Sequence, residues 1–190
     1  GEGYFYQSLS KINLSGLRNT KDRKNFLNIT EYTKNKTILD IGTNSGFLLF
    51  ELDNNFKYAL GIDYNPSLIR IGNIVKKYLK IKNIELKCEN IYEVNHEQKY
   101  DIVLSLANHS TFDNGINETD RYFKKVYELI KKNGILIFES HHPQYESLDI
   151  FDKYLKELLK YYKLIEQGIY NTKNFYDNKR KFVILKKIND

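Results

Sequence analysis

Two groups of residues in this 190-residue sequence have types and spacing suited to chemistry. The first is the run ILDIGTNSGFLLFEL, Ile38 to Leu52, in which an apolar stretch reaches Asp40 and a turn holding Gly42 and Gly46 opens into a second apolar stretch. Glycines in such a turn let the backbone approach a ligand closely. Asp63, in GIDYNP, follows about 20 residues beyond the turn, where an acidic side chain accepts both hydroxyls of a ribose. The second group is three of the four histidines: His109, His141 and His142. Histidine titrates near neutrality, and as a general base contributes roughly 10²–10⁴-fold. The same residues also suit ordinary loop histidines bonded to backbone, and Asp63 a solvated loop position.

The elements that must carry these residues follow from hydrophobic periodicity. Short apolar runs alternate with amphipathic ones, the signature of strand–helix–strand units and a mainly parallel sheet. Strands are expected at Lys36–Ile41, Tyr58–Ile62, Ile84–Cys88, Tyr100–Leu106 and Gly134–Ser140. Helices are expected at Thr20–Tyr32, with Phe26, Leu27 and Ile29 inward, and at Ser45–Asp53, Pro66–Lys80, Glu118–Lys132 and Leu148–Tyr162. Pro66 suits a first helical position, and Asn133-Gly134 a helix end. Lys163–Ile169 and Lys181–Ile188 read as an antiparallel pair closing the sheet. The fold class is therefore α/β: a doubly wound, mainly parallel seven-stranded sheet with an antiparallel edge pair at the C-terminus. The length suits one domain: an N-terminal arm and helix (1–34), a ligand-binding core (36–140), and a C-terminal helix with edge strands (141–190). Residues 1–19 read as an irregular, Tyr-rich arm.

Composition excludes several classes. With 41% hydrophobic and 28% charged residues, two prolines and ten glycines, the chain is neither disordered nor collagenous. Its single Cys88 builds no intrachain disulfide and no cysteine zinc site, so cytoplasm is the expected location. No apolar run reaches the roughly 20 residues of a membrane helix. The net charge of +6 invites nucleic acid, yet the lysines are scattered along helical patterns and fit a solvated surface. A P-loop is absent, and G-T-N-S-G lacks the G-x-G-x-x-G spacing of a dinucleotide fold.

The segment from Ile38 to Leu52 resembles motif I of the class I S-adenosylmethionine (SAM)-dependent methyltransferases, an apolar strand followed by D-x-G-x-G-x-G, with Asn44 at the middle glycine position. Asn takes the left-handed conformation more easily than most residues. Asp63 matches the ribose-binding position, and Glu89-Asn90-Ile91 the place where the family holds the adenine amine and ring. YDIVLSLANHSTF and LIKKNGILIFES resemble the later motifs, so the likeness spans about residues 36–140. It implies SAM as cofactor, with S-adenosylhomocysteine as product, held by Tyr6, Asp40, Gly42, Asn44, Gly46, Phe47, Asp63, Tyr64, Asn90, Ile91 and Leu106. It also implies a small, bacterial-type O-methyltransferase whose N-terminal segment, including Tyr4 and Tyr6, folds over the cofactor as a lid.

Methyl transfer from a sulfonium to a hydroxyl asks for a base near the carboxyl ends of the fourth and fifth strands, which makes His109 and His141 the catalytic candidates. Arg18, Arg23 and His142 are candidates for the acceptor, the arginines as forks for a phosphate or carboxylate. No metal is expected: Glu139 or Asp113 beside the histidines offers a site, but hard cations prefer carboxylate oxygens. Asn108-His109-Ser110-Thr111 lacks the N-P-P-Y run of amino-methylating enzymes, which favours oxygen. The expected acceptor is small and anionic: a phosphorylated, phosphoramidate or nucleotide-activated sugar of surface polysaccharide or capsule synthesis. The alternatives are an RNA methyltransferase, and a non-catalytic SAM-binding partner subunit; assembly with a partner subunit or as a homodimer stays open.

Overall fold

A computed structural model of the chain describes residues 5–52, 55–95, 97–109 and 119–188. They divide into two compact units, Gly1–Asn90 and Ile91–Asp190.

The first unit begins with β1 (Phe5–Gln7) and β2 (Gly16–Arg18), a short parallel pair where the sequence suggested an irregular arm. Gly16 makes the pairing possible: a Cβ there would lie 2.4 Å from the carbonyl carbon of Gln7. The helix expected over 20–32 is two: α1 (Thr20–Phe26) and α2 (Ile29–Thr33). Asn28 breaks it with a left-handed φ of 48°, a conformation Asn tolerates, and the turn buries Leu27 and Ile29 while Phe26 stays 37% exposed rather than facing inward. The side chain of Asn19 caps α1 by accepting the Asp22 N–H.

Three parallel strands follow, β3 (Thr37–Ile41), β4 (Tyr58–Asp63) and β5 (Ile84–Cys88), with β4 in the middle. β3 and β4 are buried beyond their half-buried first residues, Thr37 and Tyr58, as strands covered on both faces require, whereas β5 leaves Glu85 half-buried and Lys87 and Cys88 exposed. The helix α3 (Phe47–Glu51) is shorter than expected, because Gly46 sits before it at φ 74° and Leu52 leaves it in extended conformation. The helix α4 (Pro66–Tyr78) has Pro66 in its first turn and Asn65 as its cap, its side chain accepting from Ser67 N–H and Leu68 N–H. Gly72 lets α4 close onto the turn before α3, since a Cβ there would stand 2.5 Å from both the Ser45 carbonyl oxygen and a Leu86 methyl. Gly72→Ala is therefore expected to cost a net ~1–2 kcal/mol, the clash outweighing the gain in helix propensity. A lowered melting temperature checks it.

The second unit holds β6 (Tyr100–Leu106), α5 (Thr119–Leu129), β7 (Ile130–Glu139), α6 (Leu148–Leu158), β8 (Tyr162–Ile169) and β9 (Lys181–Lys187). β6 and β7 are parallel; β9 is antiparallel to both β7 and β8. Together with β3, β4 and β5 these four strands make the seven of the mixed, mainly parallel α/β class, with the antiparallel pair at the C-terminus. Asn133-Gly134 does not end a helix. The helix stops at Leu129, Ile130 already pairs with Tyr100, and the register then jumps to Ile135 opposite Ile102. Asn133 at φ 61° and Gly134, whose absent Cβ leaves the Asp101 carbonyl oxygen its place, absorb the jump inside the strand. Likewise α6 ends at Leu158, because Tyr162 already pairs with Lys187. Among the described residues no helix is long and apolar enough to cross a membrane.

Candidate functional site

In the first unit the chemistry gathers where β3 and β4 end. Residues Gly42, Asn44 and Gly46 are all left-handed, at φ 66°, 58° and 74°, so the turn G-T-N-S-G alternates in handedness at every second residue. It is pinned to β4 by two bonds: the Thr43 N–H donates to the Ile62 carbonyl and the Asn44 N–H to Asp63 Oδ2, each at 2.9 Å. The other oxygen of Asp63 accepts the Asn65 N–H at 2.9 Å. Each carboxylate oxygen thus has one backbone donor and keeps capacity for another. Burial pushes Asp63 above its ordinary value, although both backbone N–H groups pull the other way.

Asp40, 3% exposed, is pushed up to about 6 by burial, against the Thr43 hydroxyl that donates to it at 2.6 Å and the charge of Arg23. This carboxyl holds its proton more tightly folded than unfolded. Its contribution to stability is therefore largest below its ordinary value of 3.8 and is lost as pH rises to about 6. Asp40→Asn is expected to flatten that fall, so that chemical denaturation shows variant and wild type diverging in favour of the variant between those two pH values.

The N-terminal pair lies against this turn. The Phe5 and Phe47 rings are 6.0 Å apart, and Ser10 donates through its N–H and its hydroxyl to the Glu51 carboxylate at the end of α3. Tyr6 is part-exposed, and Tyr64 is 63% exposed with its carbonyl accepting from the Cys88 thiol. Arg18 and Arg23 are buried, Arg23 within the field of Asp40; neither stands as a fork on the surface. Asn90 follows β5 at the end of the unit, where the Glu89 N–H donates to the Asp63 carbonyl at 3.1 Å. Ser45 is buried, and its hydroxyl has no hydrogen-bond partner among the described residues.

In the second unit, β6 ends at Leu106, and Ala107 turns the chain at φ 60°, an uncommon backbone for a residue with a Cβ. Asn108 is then held by the Ser105 and Tyr122 hydroxyls, at 2.9 and 3.0 Å from its side-chain oxygen. His109 comes next, 3% exposed, packed on the edges of Phe138 and Tyr154 at 4.9 and 5.3 Å and stacked with Phe123. Phe123 and Tyr154 also line a cavity of about 460 Å³ between α5, α6 and β8. His141, just past β7, lies with its ring 4.9 Å from that of His109. The two histidines expected at adjacent strand ends are thus brought together.

The residue that joins them is one the sequence reading missed. Glu146 Oε1 is 2.8 Å from His109 Nε2, and its Oε2 accepts the His141 N–H at 3.2 Å. Burial alone would raise Glu146; the His109 hydrogen bond and charge, together with the His141 N–H, outweigh it and hold the carboxyl below its ordinary value. His141 is lowered to about 4 by burial and by the neighbouring His109, and is neutral at neutral pH. His142 stands apart, its ring against Phe175 at 4.5 Å and its Nδ1 accepting the Gln144 N–H. Burial and Arg180 lower it as well. Glu139 accepts from the Tyr170 hydroxyl at 3.1 Å and lies 3.4 Å from an Arg180 nitrogen, so its carboxylate is already engaged. Ile91 and Leu106 are buried. Tyr4, Asp113, Ser110 and Thr111 lie outside the described residues. Among the described residues no group of three or more His, Cys, Asp and Glu side chains is placed to hold a metal ion.

Comparison with known proteins adds three findings. A family described as "methyltransferase domain" matches residues 32–183. The chain is 27% identical over 139 residues to a malonyl-[acyl-carrier protein] O-methyltransferase of Bacillus anthracis, covering 71% of this chain and 46% of that protein. It is 28% identical over 126 residues to EEF1A lysine methyltransferase 2 of Mus musculus, covering 62% and 51%. The chain therefore spans about half the length of these relatives. Among solved structures, the N-methyltransferase NodS of Bradyrhizobium japonicum WM9, in complex with S-adenosyl-L-homocysteine, superposes with a TM-score of 0.74 at 13% identity, covering 88% of this chain and 86% of that one.

Proposed function

Because this chain belongs to the methyltransferase-domain family, we propose that it is a SAM-dependent enzyme that methylates an oxygen of a small polar acceptor. The observation that carries the donor assignment is the left-handed turn 42–46 tied through Asn44 to Asp63. The residues fit the donor. Two positions of the turn carry no side chain, Ser45 keeps an unpartnered hydroxyl, and Asp63 retains an acceptor site on each oxygen for a ribose diol. Asp63 is the ribose residue in this reading, with Gly42, Asn44 and Gly46 lining the close approach, and Phe47, Tyr6, Tyr64 and Asn90 as neighbouring contacts. When bound, SAM supplies a methyl carbon on a positively charged sulfur.

Proton removal from the acceptor falls to the histidine cluster, with His109 as the base and His141 as its neutral neighbour. Family membership does not choose the acceptor: the relatives include one enzyme named for a malonyl carrier protein and one named for a lysine. The net charge of +6 favours an anionic acceptor, of which a phosphorylated or nucleotide-activated sugar of polysaccharide synthesis is the example proposed. The same charge supports a second reading, RNA as acceptor. Incubation with methyl-labelled SAM and, in turn, sugar phosphates, nucleotide sugars and bulk RNA tests both. Label in a sugar fraction supports the first reading. Label in RNA, with affinity falling steeply as salt rises, replaces it with the second. Activity appearing only when a second polypeptide is added would make the chain a partner subunit.

A further inference from the structure

We propose that the exposed rings of Tyr145, Phe175 and Tyr176, with His142 packed against Phe175, form a platform that stacks the base of a nucleotide while Lys173 and Lys179 meet its phosphate. The proposal deepens the reading of this chain as a methyltransferase and rests on it for the role of the bound nucleotide as acceptor. It narrows the acceptors considered above to those that carry a base, a nucleotide-activated sugar or RNA.

Two loops converge to build the platform. Because β9 runs antiparallel to both β7 and β8, the loop 170–180 that joins β8 to β9 lies at the carboxyl end of β7, where the loop 141–147 begins. The Phe175 ring packs 4.5 Å from that of His142, Tyr176 stands edge-on to Phe175 at 5.5 Å, and Tyr145 lies 6.2 Å from His142. These rings touch one another and still face solvent, Tyr145 being 78% exposed, Phe175 55% and Tyr176 36%. Large aromatic rings ordinarily go to a core or an interface, and a contiguous exposed set rimmed by polar residues marks a binding surface. Both loops are held in place. The Tyr170 N–H donates to the Arg180 carbonyl and the Lys179 N–H to the Tyr170 carbonyl, each at 2.8 Å, which closes the longer loop. Within it, Asn174 accepts the Tyr176 N–H on its side chain and the Asp177 and Asn178 N–H groups on its carbonyl, and Arg180 Nε donates to the Tyr176 carbonyl at 2.7 Å. In the shorter loop the Tyr145 N–H donates to the His142 carbonyl at 2.8 Å. A surface organised in this way loses little conformational freedom when a ligand arrives.

The charges select the ligand. The acids of the two loops, Glu146 and Asp177, are buried, whereas Lys173 and Lys179 are exposed and make no ion pair among the described residues. Arg180 is set against Glu139, and Lys181 against Asp152. Burial and the charge of Arg180 lower His142 below its ordinary value, so at neutral pH it joins the platform as an uncharged ring. Flat rings flanked by two unengaged lysines fit a ligand that combines a flat ring with a phosphate. An apolar peptide would leave the lysines without a partner, and a sugar phosphate without a base would leave the rings bare. Every base has a π-face, so stacking recognises the class and not one member of it. His142 follows His141 directly, and a nucleotide seated here borders the histidine cluster.

The test titrates the full chain, with no methyl donor present, with UMP, uridine, ribose 5-phosphate, UDP-glucose and oligouridylate, and follows the NMR signals of its phenylalanine and tyrosine rings. UMP should shift the Phe175 and Tyr176 signals and bind several-fold more tightly than ribose 5-phosphate. Phe175→Leu should weaken UMP binding about 5–10²-fold. The double variant Lys173→Gln with Lys179→Gln should weaken UMP several-fold and leave uridine unchanged. Tighter binding of UDP-glucose than of oligouridylate supports the platform with a nucleotide sugar as its ligand. Tighter binding of oligouridylate, falling steeply as salt rises, supports it with RNA. No UMP binding at millimolar concentration, shifts that spare Phe175 and Tyr176, equal affinity for ribose 5-phosphate, or unchanged UMP affinity in Phe175→Leu overturns the proposal. If Phe175→Leu unfolds the chain, the wild-type ring signals and the ribose 5-phosphate comparison still decide. Failure here leaves the SAM assignment standing, and failure to bind SAM leaves this result intact.

Discussion

His109→Ala is expected to lower kcat for a hydroxyl acceptor by about 10²–10⁴-fold while leaving the affinity for SAM unchanged within a few-fold. The size follows from what the residue does. It is the histidine whose free nitrogen and carboxylate partner are both in place, and a hydroxyl proton left in the transition state leaves most of that factor unclaimed. His141→Ala is expected to cost less, since His141 lies beside His109 and is neutral already. Single-turnover rates with the same hydroxyl acceptor separate the two, the His109 variant being the slower. If the His109 variant keeps full activity, the reacting oxygen arrives already ionised and the base is unnecessary.

The second large effect is on the donor. Asp63→Ala is expected to weaken SAM binding by about 10–10²-fold, because charge-assisted hydrogen bonds are worth roughly 1.5–3 kcal/mol and each 1.4 kcal/mol is a factor of ten. Asp63 also anchors Asn44 and Asn65, so part of the loss comes through the turn. Asp63→Asn separates the contributions: its amide oxygen still accepts one backbone N–H while the charge and one acceptor are gone. Calorimetry with both variants, beside their melting temperatures, should rank wild type above Asn above Ala in affinity.

Much of the fold was legible because local pattern and tertiary role agree there. Tyr100–Leu106 is a mainly apolar run that becomes a covered strand with unchanged boundaries, Ile84–Cys88 keeps its expected bounds although Lys87 and Cys88 stay exposed, and Pro66 opens its helix as its fixed φ requires. The misses are places where a contact distant in sequence overrides the local pattern. Nothing near Gly16 announces that Gln7 will lie against it. Asn133-Gly134 carries a helix-end signal, yet pairing of Ile130 with Tyr100 starts the strand before that signal is reached. Within the site, Asn44 was readable because its left-handed φ is a property Asn carries with it. Glu146 was not, because an acidic residue in a loop gives no sign that it will be buried on His109, 37 positions away. Arg18 and Arg23 illustrate the reverse: their type suggested a surface fork, and the fold buries both.

The central claim is that the turn 42–46 with Asp63 binds SAM. Calorimetric titration of the wild-type chain with SAM, and separately with NAD, tests it most directly. The expected result is one-to-one binding of SAM in the micromolar range, much weakened in Asp63→Ala, with no heat from NAD. Absence of SAM binding, or SAM affinity equal in wild type and Asp63→Ala, would contradict it.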